Sequence, residues 1–193
     1  MPSFDFTSVP ILKTDRLILR RIVSTDEPVW RDILANPDVR RYLFEFQPNT
    51  PEEHAAEVAE IMTWSDRQIN DKTGIRWAIT RPSDDTMIGS CGFHAYNAEN
   101  EHVEIGYELH PDYWRQGIMR EAVTAVVSFC FEELGVHRAE ADVTVGNVAS
   151  RGLLESLGFT HEGTWRERVA SSNGYDSLWF FGLLKREWQV NAK

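Results

Sequence analysis

Between His102 and Val145 the hydrophobic period of the chain changes twice, and this restricts the fold more than any other feature. Over His102–Leu109 the period is two. Val103, Ile105, Tyr107 and Leu109 point one way and His102, Glu104, Gly106 and Glu108 the other, as in a strand. A loop containing Gly117 follows. Ala122, Val123, Val126, Val127, Cys130, Phe131 and Leu134 then recur at helical spacing, and Gly135 ends the pattern as a C-cap does. His137–Val145 returns to a period of two, with Ala139, Ala141, Val143 and Val145 on one side. Two strands joined through a helix lie parallel, with a right-handed crossover. The segment therefore belongs inside a sheet that carries a helix on its face.

The flanking sequence extends that sheet. Arg16–Ile22 reads as a strand, and Ser24–Glu27 as a capping box opening a helix that Asn36-Pro37 stops. Thr50-Pro51-Glu52-Glu53 is a second capping box, predicting a helix to the region of Asp66–Asp71. Ile75–Thr80 and Thr86–His94 alternate on either side of the turn cluster Arg81–Asp85, which predicts an antiparallel hairpin. Tyr96–Glu101 reads as a loop. Asn147 caps a short helix closed by Gly158, Arg168–Tyr175 reads as a polar loop or hairpin tip, and Ser177–Leu184 as the last strand. The expected class is α/β, a mixed and mostly antiparallel sheet around a parallel pair with helices on both faces. With 193 residues, a single domain over 1–193 is expected, its core at about 14–187.

The formal charge of −10 argues against a nucleic-acid binder, which needs a basic face. It suits a cationic partner such as an amine. No stretch approaches the ~20 apolar residues of a membrane helix, and MPSFDFTSVP has neither the basic start nor the apolar run of a signal peptide, so the expected compartment is the cytoplasm. Cys91 and Cys130 stand far apart in apolar settings and read as small buried hydrophobes. The six histidines lack metal-ligand spacing, so no metal site is expected.

Chemistry concentrates at Leu109–Glu121, LHPDYWRQGIMRE. A strand ends, the chain turns at a glycine and a helix begins. Free N–H groups and the helix dipole favour an anion there, with Arg115 and Arg120 adding positive charge. Neither a nucleotide P-loop nor a dinucleotide fingerprint is present.

The block EIGYELHPDYWRQGIMREAV, followed about thirty residues later by NVASRGLLESLGF, resembles the GNAT acetyltransferase superfamily, specifically its RimJ/RimL-type ribosomal-protein N-terminal acetyltransferases. The likeness runs from TDRLILRRI to LWFFGLLKREW. It implies the GNAT fold, its central parallel pair splayed to admit CoA, with acetyl-CoA as cosubstrate and an amine as acceptor. It implies a phosphate cradle at Arg115, Gln116, Gly117, Ile118, Met119 and Arg120, with Trp114 and Met119 departing from the usual loop pattern at its ends. It further implies that the pantetheine arm lies along Tyr107, Glu108 and Leu109, that Asn147 bonds that arm, and that Ser150 lies near the thioester sulfur.

Acetyl transfer to an amine makes three demands. The amine must lose a proton, since free amines titrate at roughly 8 to 10. The thioester oxygen needs an N–H donor, and the leaving thiolate a proton or a strong hydrogen bond. Glu104 matches the position of a catalytic glutamate in related GNAT enzymes and is the first candidate for the base; a salt-bridged strand carboxylate is the rival reading. Glu108 and Glu167 are weaker candidates. The Leu109 N–H is the candidate oxyanion donor. Many GNAT enzymes carry a tyrosine seven residues after the asparagine, where this chain has Leu154, so Ser150 is the candidate donor to sulfur. Phe44, Phe46, Trp64 and Trp77 are candidates for an acceptor-pocket wall or for plain packing. The acceptor expected is a protein N-terminus or a small amine, with a non-catalytic acyl-CoA sensor as the alternative. The chain itself is expected to be a monomer or homodimer.

Overall fold

A computed structural model describes residues 4–6, 8–43, 50–171 and 174–191. Eight strands form one sheet: β1 (Leu12–Lys13), β2 (Ile18–Arg21), β3 (Ile75–Arg81), β4 (Asp84–Asn97), β5 (His102–Leu109), β6 (Arg138–Thr144), β7 (Thr160–Ser171) and β8 (Gly174–Leu184), in the spatial order β1-β2-β3-β4-β5-β6-β8-β7. All neighbours are antiparallel except β5 and β6. The connection between those two is the amphipathic helix α4 (Ile118–Glu132), as the change of period requires.

Helices cover both faces. On one, α1 (Glu27–Ala35) and α3 (Pro51–Asn70) bury Trp30, Leu34 and Val58 against Ala78 and Met87, with the short α2 (Pro37–Arg40) beside them. On the other, the apolar stripe of α4 meets Val103, Ile105, Ala139, Ala141 and Phe181, joined by Leu154 of α5 (Val148–Ser156) and Trp188 of α6 (Lys185–Asn191). The capping box that opens α3 is complete: Thr50 Oγ1 accepts the Glu53 N–H and the Glu53 carboxylate accepts the Thr50 N–H, both at 3.2 Å.

Several boundaries differ from the sequence reading. Ser24–Glu27 does not form a capping box. Ser24–Asp26 is a 3-10 turn in which buried Asp26 accepts the Val23 N–H and an Arg20 ion pair, and α1 starts at Glu27. The hairpin turn near Pro82 is tighter than its polar cluster, because Arg81 already pairs with Asp84. Strand β4 extends through Tyr96 to Asn97 by way of a bulge, with Ala95 in the left-handed region at φ 52°. The largest difference is β7. Most of its side chains are exposed and it pairs with β8 alone, so no apolar alternation marks it. Arg168–Ser171 and Gly174–Tyr175 are the paired ends of a hairpin, the second of the two readings, and are strand rather than loop.

What positions the site is an incomplete ladder. Strands β5 and β6 pair only at His102↔Arg138, Val103↔Ala139 and Glu104↔Glu140, although β5 continues to Leu109 and β6 to Thr144. Each is held beyond that point by its other neighbour, β5 by β4 up to Leu109 and β6 by β8 up to Thr144. The split is thus braced from both sides.

Candidate active site

The open edge follows from strand geometry. The His110 N–H bonds the Ile88 carbonyl of β4 at 2.9 Å. Backbone polar groups alternate edges along a strand, so Ile105, Tyr107 and Leu109 turn theirs toward β6, where the ladder ends at the Glu104–Glu140 rung. An extended amide chain can pair there as an added strand. The Leu109 carbonyl already accepts the Trp114 indole N–H at 2.8 Å. The Trp114 indole is therefore spent on bracing the end of β5.

The loop after β5 has a backbone geometry that favours an anion. Arg115 and Gly117 both lie in the left-handed region, at φ 59° and 75°, and alternating backbone of this kind gathers N–H groups into a concavity. Gly117 is the N-cap of α4 and offers no side-chain cap, so the N–H groups of Ile118, Met119 and Arg120 lack the usual internal acceptor. Arg115, Gln116 and Arg120 are exposed beside them, while Ile118 is buried and Met119 packs on the core. Gln116 is occupied in holding the loop, its amide donating to the Asp112 carbonyl at 2.7 Å. Arg16 was missed by sequence reasoning: it bonds the Gln116 carbonyl at 3.0 Å and ion-pairs with Glu121 at 2.6 Å, fastening the loop to the start of β2.

Asn147 caps α5, its side-chain oxygen accepting the Ser150 N–H at 3.1 Å. That leaves its amide hydrogens for another acceptor. The Ser150 hydroxyl is not a cap. It meets the Tyr107 hydroxyl at 2.7 Å, a link between residues 43 positions apart that no sequence pattern signals.

On the α1–α3 side of the split lies a carboxylate face. Glu104 sits on the last paired rung, about one third exposed (32%), with His94 Nε2 at 3.3 Å from its carboxylate. Glu140 is its neighbour across the rung and is held by Arg138 at 2.6 Å. Asp142 lies two residues further along β6, past the split, and its Oδ1 is buried with no hydrogen-bond partner among the described residues. Burial first, then the charges of Glu104 and Glu140, raise its carboxyl from the ordinary 3.8 to about 6, against the opposing pull of Arg168 and His94. Trp64 of α3 packs edge-on to His94, with ring centroids 5.7 Å apart, and so lines this face. Trp77 does not: it is fully buried and bonds the Pro10 carbonyl. Phe44 and Phe46 lie outside the described residues.

Glu108 points to the same face but is fully engaged. Its carboxylate accepts the Trp30 indole N–H at 2.8 Å and bonds the Ser90 hydroxyl and the Arg76 guanidinium. Its backbone faces β4, away from the open edge. Gly106 lies between the two glutamates; a Cβ there would come within 3.3 Å of Arg76 and 3.6 Å of His94. Glu167 sits exposed on the β7 bulge, where its N–H bonds the Ser177 hydroxyl at 2.9 Å. Cys91 and Cys130 are buried and free, and burial pushes the Cys91 thiol up to about 12 and Cys130 well above its ordinary value. Neither can serve as a thiolate nucleophile. Among the described residues no group of three or more side chains could hold a metal ion, and no helix is long and apolar enough to cross a membrane.

A parallel pair that parts beyond Glu104 and Glu140, with helices on both faces of a mixed sheet, is the arrangement the resemblance implied. The family model of the GNAT acetyltransferase domain matches residues 16–160. The chain belongs to the GNAT acetyltransferase family. The uncharacterized N-acetyltransferase YoaA of Bacillus subtilis strain 168 is 39% identical over 158 residues, covering 82% of this chain and 87% of that protein. The [ribosomal protein uS5]-alanine N-acetyltransferase of Escherichia coli K12 is 27% identical over 178 residues, 83% of this chain and 89% of that protein. Spermidine N-acetyltransferase from Vibrio cholerae, solved with CoA and spermine, shares the fold: TM-score 0.77, 19% identity, 91% of this chain and 98% of that one. This chain is therefore an acetyltransferase that uses acetyl-CoA. The cradle and the open edge of β5 fit such a cosubstrate, one supplying N–H donors for phosphate and the other a strand edge for amides.

Proposed function

We propose that this GNAT acetyltransferase acetylates a primary amine presented on the Glu104–Glu140–Asp142 face, with Glu104 as the base. The observation that carries the reading is the end of the β5–β6 ladder at Glu104: the carboxylate stands where the strands part, beside the gap that admits the thioester. Charge supports an amine. Besides the engaged Glu108, three carboxylates share this face, and the charges of Glu104 and Glu140, which add to burial in raising the Asp142 carboxyl, also attract an ammonium group.

In this reading acetyl-CoA rests its pyrophosphate on the N–H groups around Gly117, pairs its pantetheine with the Tyr107–Leu109 edge and bonds the Asn147 amide. The ammonium gives one proton to Glu104, directly or through water, its freed nitrogen attacks the carbonyl carbon, and the second N–H proton leaves to solvent once the N–C bond has formed. The N–C bond forms while the Leu109 N–H holds the developing oxyanion. The C–S bond then breaks, and the thiolate leaves against the Ser150 hydroxyl. As acceptor we favour a protein N-terminus, since the ribosomal-protein enzyme of Escherichia coli is a relative over most of the chain. The carboxylate face favours a polyamine as the second reading. The assay is thiol release from acetyl-CoA with N-terminal alanine and serine peptides, spermidine and free amino acids. Turnover on the peptides is expected. Turnover on spermidine alone would transfer the assignment to the polyamine, and tight CoA binding without turnover on any amine would leave only a sensor.

A further inference from the structure

We propose that Tyr107 is a positioning residue for the departure of CoA: its phenol fixes the Ser150 hydroxyl so that the serine proton is presented to the leaving sulfur. The proposal rests on the assignment of Ser150 to that sulfur and adds a residue to it.

The two hydroxyls lie 2.7 Å apart. They come from opposite sides of the split, Tyr107 from β5 and Ser150 from the first turn of α5, which follows β6. A serine hydroxyl is a rotor with one hydrogen and two lone pairs. Left alone in the first turn of a helix, it commonly turns back onto a nearby backbone group. Here its own N–H is already taken by the Asn147 side chain at 3.1 Å, which fixes the residue, and its hydroxyl is within hydrogen-bond reach of the Tyr107 hydroxyl. A phenol is a stronger acid than an aliphatic alcohol, so the tyrosine is the donor of the pair. The serine hydrogen is then directed away from Tyr107, and its oxygen, already accepting a bond, is a better donor in turn.

Tyr107 does not pass its proton on. It is partly buried, and burial raises its hydroxyl above the ordinary phenol range, with the bond to Ser150 opposing. A phenolate there is disfavoured, so the pair stabilises the thiolate as two hydrogen bonds in series. The balance of the step is unchanged: the N–C bond forms, the C–S bond breaks, the electron pair leaves on sulfur, and of the two protons lost by the ammonium the first goes to Glu104 and the second to solvent. What the pair supplies is a donor preorganised where negative charge appears.

The experiment uses Tyr107→Phe, Ser150→Ala and the double variant, with acetyl-CoA and whichever amine the wild type turns over. It reads kcat, the KM for acetyl-CoA, and CoA affinity by calorimetry. Phenylalanine preserves the packing of the ring, so Tyr107→Phe should keep KM and CoA affinity within about two-fold while kcat falls roughly ten-fold. Ser150→Ala should lower kcat at least as much. The double variant should fall within about two-fold of Ser150→Ala, because one chain of bonds cannot be broken twice. Losses that multiply in the double variant would overturn the proposal, as would wild-type kcat in Tyr107→Phe while Ser150→Ala is slow. Wild-type kcat in Ser150→Ala would remove the sulfur assignment and the proposal with it. An amine-independent or inactive wild type would instead count against the proposed acceptor chemistry.

Discussion

Replacing Glu108 by alanine should cost this protein more stability than any other single polar change near the site. Its carboxylate is buried, with the side chain 6% exposed, and it gathers three donors from three elements: Trp30 of α1, Arg76 of β3 and Ser90 of β4. The Arg76 guanidinium also lies 5.9 Å from the Trp30 ring centre. Removing the carboxylate leaves a largely buried guanidinium and a buried indole N–H without their acceptor. Breaking one side of a buried ion pair costs about 3 to 5 kcal/mol. Arg76 keeps its bond to Ser90 and a 15% exposed side chain, which favours the lower end, about 3 kcal/mol. For a chain of this size that corresponds to a melting temperature lower by roughly 6 to 12 °C. Glu108→Gln, which retains an acceptor but not the charge, should lose about half as much. Replacing Arg76 and Glu108 together by leucine should cost less than Glu108→Ala, because no orphaned charge remains. Thermal unfolding followed by circular dichroism measures all three. A Glu108→Ala protein melting within about 2 °C of wild type would refute the hub and, with it, the idea that α1 is tied to β5 through this carboxylate.

Two further variants probe the cradle and the acidic face. Gly117→Val forces a β-branched residue into φ 75° beside Arg16, at 3.4 Å from the new Cβ. It should weaken CoA binding at least ten-fold by calorimetry, and unaltered affinity would count against the phosphate cradle. Asp142 holds its proton to about pH 6 in the folded protein against an ordinary 3.8. Its ionisation therefore costs stability progressively as pH rises through that window, and the cost is complete above it. Asp142→Asn should match wild type near pH 4 and exceed it above pH 6. The expected margin is about 1 kcal/mol, since solvent screens much of the interaction at this partly exposed site. Urea unfolding at both pH values reads the difference, and an equal or lower stability at pH 7 would remove the reason for calling this face electrostatically strained.

The sequence exposed those parts of the fold that local patterning specifies. The change of period at Leu109 and again at Val136 marks the parallel unit, since a strand and a helix bury different sets of positions. The reciprocal cap at Thr50 and Glu53 fixes the start of α3 because all of its donors and acceptors lie within four residues. Strand β7 escaped notice for the opposite reason: an exposed edge strand needs backbone pairing with β8 but no apolar face, and THEGTWRERVAS carries charges throughout. The site divides in the same way. Gly117 and Asn147 were legible as turn and cap chemistry. The hub at Glu108, the Tyr107–Ser150 bond and the unusual position of Asp142 each depend on groups brought together from distant segments. A strand carboxylate looks alike in sequence whether it faces solvent, a substrate or an arginine.

The most direct test of Glu104 at the split is the pH dependence of kcat/KM in wild type and Glu104→Gln. With a working amine, the variant should keep its CoA affinity and lose most activity at low pH, where the acceptor is an ammonium that needs a base. The gap should narrow as pH approaches the roughly 8 to 10 range in which free amines deprotonate unaided. A Glu104→Gln profile parallel to wild type at every pH, or one lowered only through weaker CoA binding, would contradict the assignment and move the base elsewhere on the carboxylate face.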